Sequence, residues 1–144
     1  MGTHTFHFHR VLRAAPEVVY KAFLDPDAKA KWIPPNGFTG KVHELDARVG
    51  GKYRMSFTHI ASGQTHAFGG TYLEMVPGEK LRYTDQFDDP NLPGEIMVTI
   101  TLTKVSCGTD LQITQAGVPD VIPPEMCHLG WQDSLRLLAL LVEA

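Results

Sequence analysis

The chain is poor in the features that would assign it at once. It has two cysteines, Cys107 and Cys127, in 144 residues, too few for a disulfide framework and spaced unlike any zinc pattern. It has no basic excess, since thirteen Lys and Arg stand against sixteen Asp and Glu for a formal net charge of -3. No basic run could track a phosphate backbone, which argues against nucleic acid as a partner. Long apolar runs are missing too. The longest aliphatic stretch, Leu137 to Val142, falls far short of the roughly 20 residues that cross a bilayer, and no signal-like segment opens the chain. No glycine-rich phosphate loop, Gly-x-Ser-x-Gly elbow or His-Glu-x-x-His helix occurs, so covalent or metal-assisted hydrolysis has no visible machinery. These absences lead us to expect a cytoplasmic protein with free thiols, no membrane partner and no cofactor.

What is present is enough for one core. The composition is 43% hydrophobic and 20% charged, and a chain of this length buries roughly two-thirds of its extended surface on folding. A single domain over residues 1–144 is expected. "TFHFHRVLR" alternates Phe6 and Phe8 with His7 and His9, the period of a strand. "AAPEVVYKAFLD" follows, with Pro16 suited to a first helical turn, and "DPDAKAKWIPP" adds a second short helix between an Asp25 cap and Pro34. From Phe38 to Gly117 the period is mostly two, and turn residues divide the stretch into "FTGKVHELDARV", "KYRMSFTHI", "THAFGGTYLEMV", "KLRYTDQF", "EIMVTITLTKV" and "TDLQITQAG". With the first strand these make seven. Short connections predict an antiparallel meander, with Pro77-Gly78 as its clearest hairpin. The closing helix runs from about Glu125. It puts Cys127, Trp131, Leu135, Leu138 and Val142 on one stripe, widened by Leu137, Leu140 and Leu141 beyond what a flat sheet needs. The order predicts an α+β fold with the helix on one face of the sheet.

That order resembles the helix-grip fold of the START-like (SRPBCC) superfamily, a bent seven-stranded antiparallel sheet wrapped around a long C-terminal helix, with two short helices after the first strand. The stretches "APEVVYKAFLDPDAKAKW", "DARVGGKYR", "GGTYLEMVPGEKLRYT", "CGTDLQITQAGVP" and "HLGW" are similar to successive landmarks of the branch named after the activator of the heat-shock protein 90 ATPase. Together they cover most of the chain. The resemblance implies a hollow between sheet and helix that receives an apolar ligand, but a fold of this kind hosts many functions.

Candidate site residues follow from strand parity. Leu81, Tyr83, Asp85 and Phe87 share a face, and Asp85 is the polar member of an otherwise apolar wall. It either lies in the hollow, where burial would raise its pKa, or is turned outward and paired with Arg82 or Arg54. Tyr53, Met55, Phe57 and His59 form one face of the next candidate strand, and His66, Phe68, Gly70 and Tyr72 another. The expected ligand-binding set is Trp32, Tyr53, Met55, Phe57, Phe68, Tyr72, Tyr83, Asp85, Phe87, Trp131 and Leu135, with Trp32 and the loop from Asp88 to Gly94 as gates. Gly130 is expected to serve close helix packing. His4, His7 and His9 could present imidazoles together, but the face opposite Phe6 and Phe8 is expected to be solvated, so no metal site is assigned. Cys127 and His128 are adjacent on a helix and point about 100° apart, which disfavours a nucleophile-base pair.

Three functions are consistent with this reading. The first is non-catalytic binding of a small hydrophobic molecule. The second is an enzyme acting on an aromatic or polyketide-like substrate by proton transfer, as the resemblance allows, with Asp85 and Tyr83 as acid and base. The third, suggested by the branch name alone, is a co-chaperone that stimulates the heat-shock protein ATPase, although 144 residues leave no room for the extra domain of the eukaryotic activator. A homodimer contact is an alternative use for the surplus leucines of the closing helix.

Overall fold

The computed structural model describes residues 2–144. Its elements are β1 (Thr3–Leu12), α1 (Pro16–Leu24), α2 (Pro26–Trp32), β2 (Phe38–Leu45), β3 (Lys52–His59), β4 (Thr65–Val76), β5 (Lys80–Phe87), β6 (Ile96–Val105), β7 (Gly108–Pro119) and α3 (Pro124–Val142). The seven strands form one sheet in the order β1-β7-β6-β5-β4-β3-β2, every pair antiparallel. This is the helix-grip α+β arrangement the sequence predicts. The second strand ends earlier than its hydrophobic pattern suggests: Asp46 to Gly50 form a turn in which the Arg48 amide donates to the Asp46 carbonyl.

Local chemistry accounts for the bends. Gly70 sits where a Cβ would overlap the Thr84 carbonyl, and Gly69 where one would overlap the Tyr53 carbonyl, so the paired glycines allow β3, β4 and β5 to close together. The Thr71 amide donates to the Thr84 hydroxyl at 2.9 Å, filling a ladder position that the bulge between Tyr72 and Glu74 would otherwise disturb. Gly78, at φ 73°, completes the β4–β5 hairpin, where Val76 pairs with Lys80.

The helices are placed by apolar faces and caps. Asp25 caps α2, its carboxylate accepting from the Ala28 amide at 3.0 Å. Pro34 and Pro35 follow the end of α2 and keep it short. Trp32 closes that helix against the core, donating to the Ala22 carbonyl at 2.8 Å and meeting Phe23 edge to face at 4.8 Å. Helix α3 lies over the sheet and buries Leu135, Leu138, Ala139 and Val142. Leu137 and Leu141 are partly buried, but Leu140 is 62% exposed and does not widen the inner stripe. No helix among the described residues is long and apolar enough to cross a membrane.

Candidate functional site

Between the sheet and the N-terminal half of α3 the packing opens into a cleft of about 240 Å³. Its floor is the inner face of the sheet: Tyr53, Met55 and Phe57 from β3, Phe68 from β4, Tyr83, Asp85 and Phe87 from β5, Ile96 from β6, and Gln115 and Val118 from β7. Its roof is Cys127, Gly130, Trp131 and Ser134 of α3, and Lys29, Ile33, Pro35, Ile122 and Met126 close the sides. The strands face inward by simple alternation, because residues two apart share a face. The helix leaves space because three of its four roof residues are small.

The cleft is mostly apolar, with one polar end. The Lys29 side chain is 3% exposed, and its ammonium stands over the Tyr53 ring at 4.0 Å and the Tyr83 ring at 5.6 Å. Burial pulls its pKa down to about 8, and the nearby Asp85 charge opposes that fall. Asp85 opens onto the cleft, while its Oδ1 is buried without a hydrogen-bond partner. Burial pushes its carboxyl up to about 6; Tyr53, Lys29 and the Gln86 amide offset the shift only in part. The single Tyr53 hydroxyl proton is directed to the Thr84 carbonyl at 3.2 Å, so it does not complete the Asp85 shell. Burial also drives the Tyr53 and Tyr83 hydroxyls well above the ordinary phenol range, and both remain neutral. At the other end the Trp131 indole donates to the Gln115 side-chain carbonyl at 3.1 Å and stacks on Phe8 at 5.6 Å.

The structure brings together eight of the eleven residues singled out from the sequence: Tyr53, Met55, Phe57, Phe68, Tyr83, Asp85, Phe87 and Trp131. Three lie elsewhere. Trp32 is fully buried in the core and cannot gate anything, because its ring is fixed by Phe23 and by its bond to Ala22. Tyr72 is also fully buried, beside Tyr53 and Tyr83 but outside the cleft. Leu135 packs in the core one position beyond Ser134, which takes the cleft-facing place and donates to the Ile33 carbonyl at 2.6 Å. The loop from Asp88 to Gly94 does not reach the cleft, whose sides are closed in part by Pro35, Ile122 and Met126. Gly130 corrects a further expectation, since a Cβ there would meet nothing within 4 Å. It widens the cleft and does not serve close packing.

The outward arrangement of Asp85 also fails on its partners. Arg54 pairs with Asp88, and Arg82 lies 3.7 Å from Glu74. His59 lies against the Phe38 ring and contacts the Ser62 hydroxyl, and His66 is exposed. On β1, His7 contacts Thr114, while His4 and His9 pair with Asp120 and Asp110.

Lys29 is the charged cleft residue that sequence reasoning missed. A lysine in a short helix reads as solvated, and its signal was weak: Lys29 stands one turn before the partly buried Ile33, while Lys31 is exposed.

A bent sheet gripping a helix, with a lined hollow between them, defines a START-like α+β domain. The chain belongs to the family described as activator of Hsp90 ATPase homolog 1-like protein, whose model matches residues 13–143. It is similar to a crystal structure of a protein from Chromobacterium violaceum, with 65% identity, 97% of each chain covered and a TM-score of 0.96. A crystal structure from Rhodobacter sphaeroides has the same fold at 22% identity, covering 95% of this chain and 90% of that one, with a TM-score of 0.83. So does the solution structure of an AHSA1-like protein from Aeromonas hydrophila, at 21% identity, 97% and 92% coverage and a TM-score of 0.79. A comparison with curated proteins finds no match.

Proposed function

We propose that the protein binds an apolar small molecule in the cleft, with the ligand's polar group at Lys29 and Asp85. The observation that carries this reading is the small stripe of α3: Cys127, Gly130 and Ser134 stand over aromatic and aliphatic side chains and leave about 240 Å³ between them. An apolar cavity of roughly 150 Å³ holds benzene, so this cleft suits one ring with a short chain, or two small rings. Covering about 200 Å² of apolar ligand surface yields about 5 kcal/mol before entropic costs, enough for useful affinity only when a polar contact adds to it. Ligand sites commonly combine an apolar wall with a few convergent polar groups, and this one has that form.

Native mass spectrometry of protein purified from its own cells tests the reading: a retained small molecule is expected, and its mass should vanish from Gly130→Leu. Retention by the variant as strongly as by the parent would place the ligand outside the cleft.

A second reading, proton transfer on a bound substrate, is favoured by one observation, the raised carboxyl of Asp85 in the cleft. Tyr83 does not serve as its base, because its hydroxyl is held neutral by burial. Turnover whose fall above about pH 6 disappears in Asp85→Asn would support this reading, with Asp85 as the acid, over simple binding.

A further inference from the structure

We propose that Lys29 is a covalent capture site, its Nζ forming a reversible imine with an apolar aldehyde seated in the cleft and Asp85 serving as proton carrier and counterion. The proposal rests on the binding reading above and narrows its ligand class. Three observations at one place support it. Lys29 is buried yet borders the cleft, and its ammonium is held over the aromatic faces of Tyr53 and Tyr83. Asp85 lines the same cleft and has an oxygen without a partner. The surroundings are apolar, from Met55, Phe68 and Ile96, so little water competes for the carbonyl.

A lysine becomes a nucleophile when desolvation favours its neutral amine, and burial does this to Lys29. The carboxyl that would take the ammonium proton is itself pushed toward its neutral form. Lys29 and Asp85 feel each other's charge without direct contact, so one proton passing from the ammonium to the carboxylate through an intervening water yields the reactive pair, amine and acid. The amine lone pair then forms the C–N bond as the carbonyl π pair moves to oxygen. Transfer of a proton from nitrogen to that oxygen gives a carbinolamine. Asp85 donates its proton to the hydroxyl, the C–O bond breaks, and water leaves. The balance is amine, aldehyde and carboxylic acid in; iminium, carboxylate and water out. No oxidant or reductant is involved.

The product fits the cleft at least as well as the free lysine does. An iminium keeps the positive charge over the Tyr53 ring and in the field of Asp85. It replaces a desolvated ammonium by an apolar group continuous with the cleft wall. A ligand bearing a carboxylate would meet Asp85 as a like charge, and an alcohol of the same shape would bind without the bond. Among the other lysines, Lys21, Lys31, Lys41, Lys52 and Lys104 are exposed, and Lys80 pairs with Glu74 at 3.4 Å. Lys29 therefore differs from all of them in environment.

The experiment uses 4-methylbenzaldehyde with sodium cyanoborohydride, followed by intact mass and peptide mapping, and 4-methylbenzyl alcohol as a non-covalent match read by ligand-observed NMR. A single reduced adduct at Lys29 is expected, favoured about tenfold or more over each surface lysine. Lys29→Arg should lose the adduct yet still bind the alcohol, and Asp85→Asn should slow adduct formation by about a hundredfold with its circular dichroism unchanged. Alcohol binding without a Lys29 adduct, or adducts spread evenly over the lysines, would overturn the capture proposal while leaving the binding reading intact. If the alcohol fails to bind and Lys29 gives no adduct, both are overturned.

Discussion

The two halves of α3 make opposite use of the same sheet. Its C-terminal half is closed: Leu135, Leu138, Ala139 and Val142 are buried against a core that includes Leu12, Phe23, Ile100 and Leu111. Its N-terminal half is open, with Cys127, Gly130 and Ser134 over the cleft. The stripe is continuous in direction, since these positions and Leu138 recur at helical spacing. What changes along it is side-chain volume. One half fixes the helix on the sheet with large residues, which lets the other leave space without losing the fold.

The largest effect should come from the closed half. Leu138→Ala removes a fully buried side chain from a filled site, and should cost about 3 kcal/mol, seen as a melting point lower by roughly 6–12 °C. If it cost no more than a cleft-side truncation such as Met126→Ala, the closed and open halves would not differ in the way described.

The polar end of the open half should show itself in the pH dependence of stability. The groups facing one another there are Lys29 from α2, Asp85 and Tyr83 from β5, Tyr53 from β3 and, across the cleft, Cys127 from α3. Burial raises the Asp85 pKa to about 6 in the folded chain, against the ordinary 3.8 that it has in the unfolded one. Between those values the folded chain holds the proton and the unfolded chain has released it, so stability falls as pH rises. Lys29 has a folded pKa of about 8 against 10.5. There the unfolded chain holds more protons, and stability rises as pH rises from 8 towards 10.5. The pair thus gives a trough between about 6 and 8, each wall up to about 3 kcal/mol high less what cleft water screens. Denaturation midpoints across pH for the parent and for Lys29→Met with Asp85→Asn should differ by this trough; parallel curves would show that the two groups are solvated.

Gly130 gives a smaller effect of unusual sign. A glycine inside a helix costs about 1 kcal/mol relative to a good helix former, and nothing near Gly130 requires its small size. Gly130→Leu should therefore raise stability by up to about 1 kcal/mol while abolishing ligand binding. Loss of stability would mean that the cleft closes on this position in solution.

Sequence pattern made most of this legible, but for different reasons at sheet and helix. Strand alternation assigned Tyr53, Met55, Phe57, Tyr83, Asp85 and Phe87 to one wall, because period two leaves little freedom once one residue is placed. The helix was harder. Hydrophobicity selects Leu135 over Ser134, yet a cleft is bordered by what is missing, so Gly130 and Ser134 carried the signal as small residues in register with Cys127. Trp32 was misplaced because a large aromatic beside two prolines reads as a mobile edge, when its indole hydrogen bond and Phe23 hold it in the core. Lys29 was missed because its burial depends on the long-range approach of α2 to β3 and β5, which no local pattern encodes.

The smallest effect separates the halves without changing the fold. Cys107 is exposed, whereas Cys127 is half-buried at the cleft and burial pushes its thiol up. Reaction with a thiol reagent requires an accessible thiolate, so the exposed Cys107 should be labelled first and Cys127, half-buried with its thiol pushed up, more slowly. A cleft ligand should slow Cys127 further and leave Cys107 unchanged. Gly130→Leu should reproduce that protection with no ligand present, because a leucine there occupies the space the reagent must cross. If Cys127 reacts at the same rate in the parent, the ligand-bound protein and the variant, the thiol is reached from the outer side of α3, and the open half of the helix is not the route into the cleft.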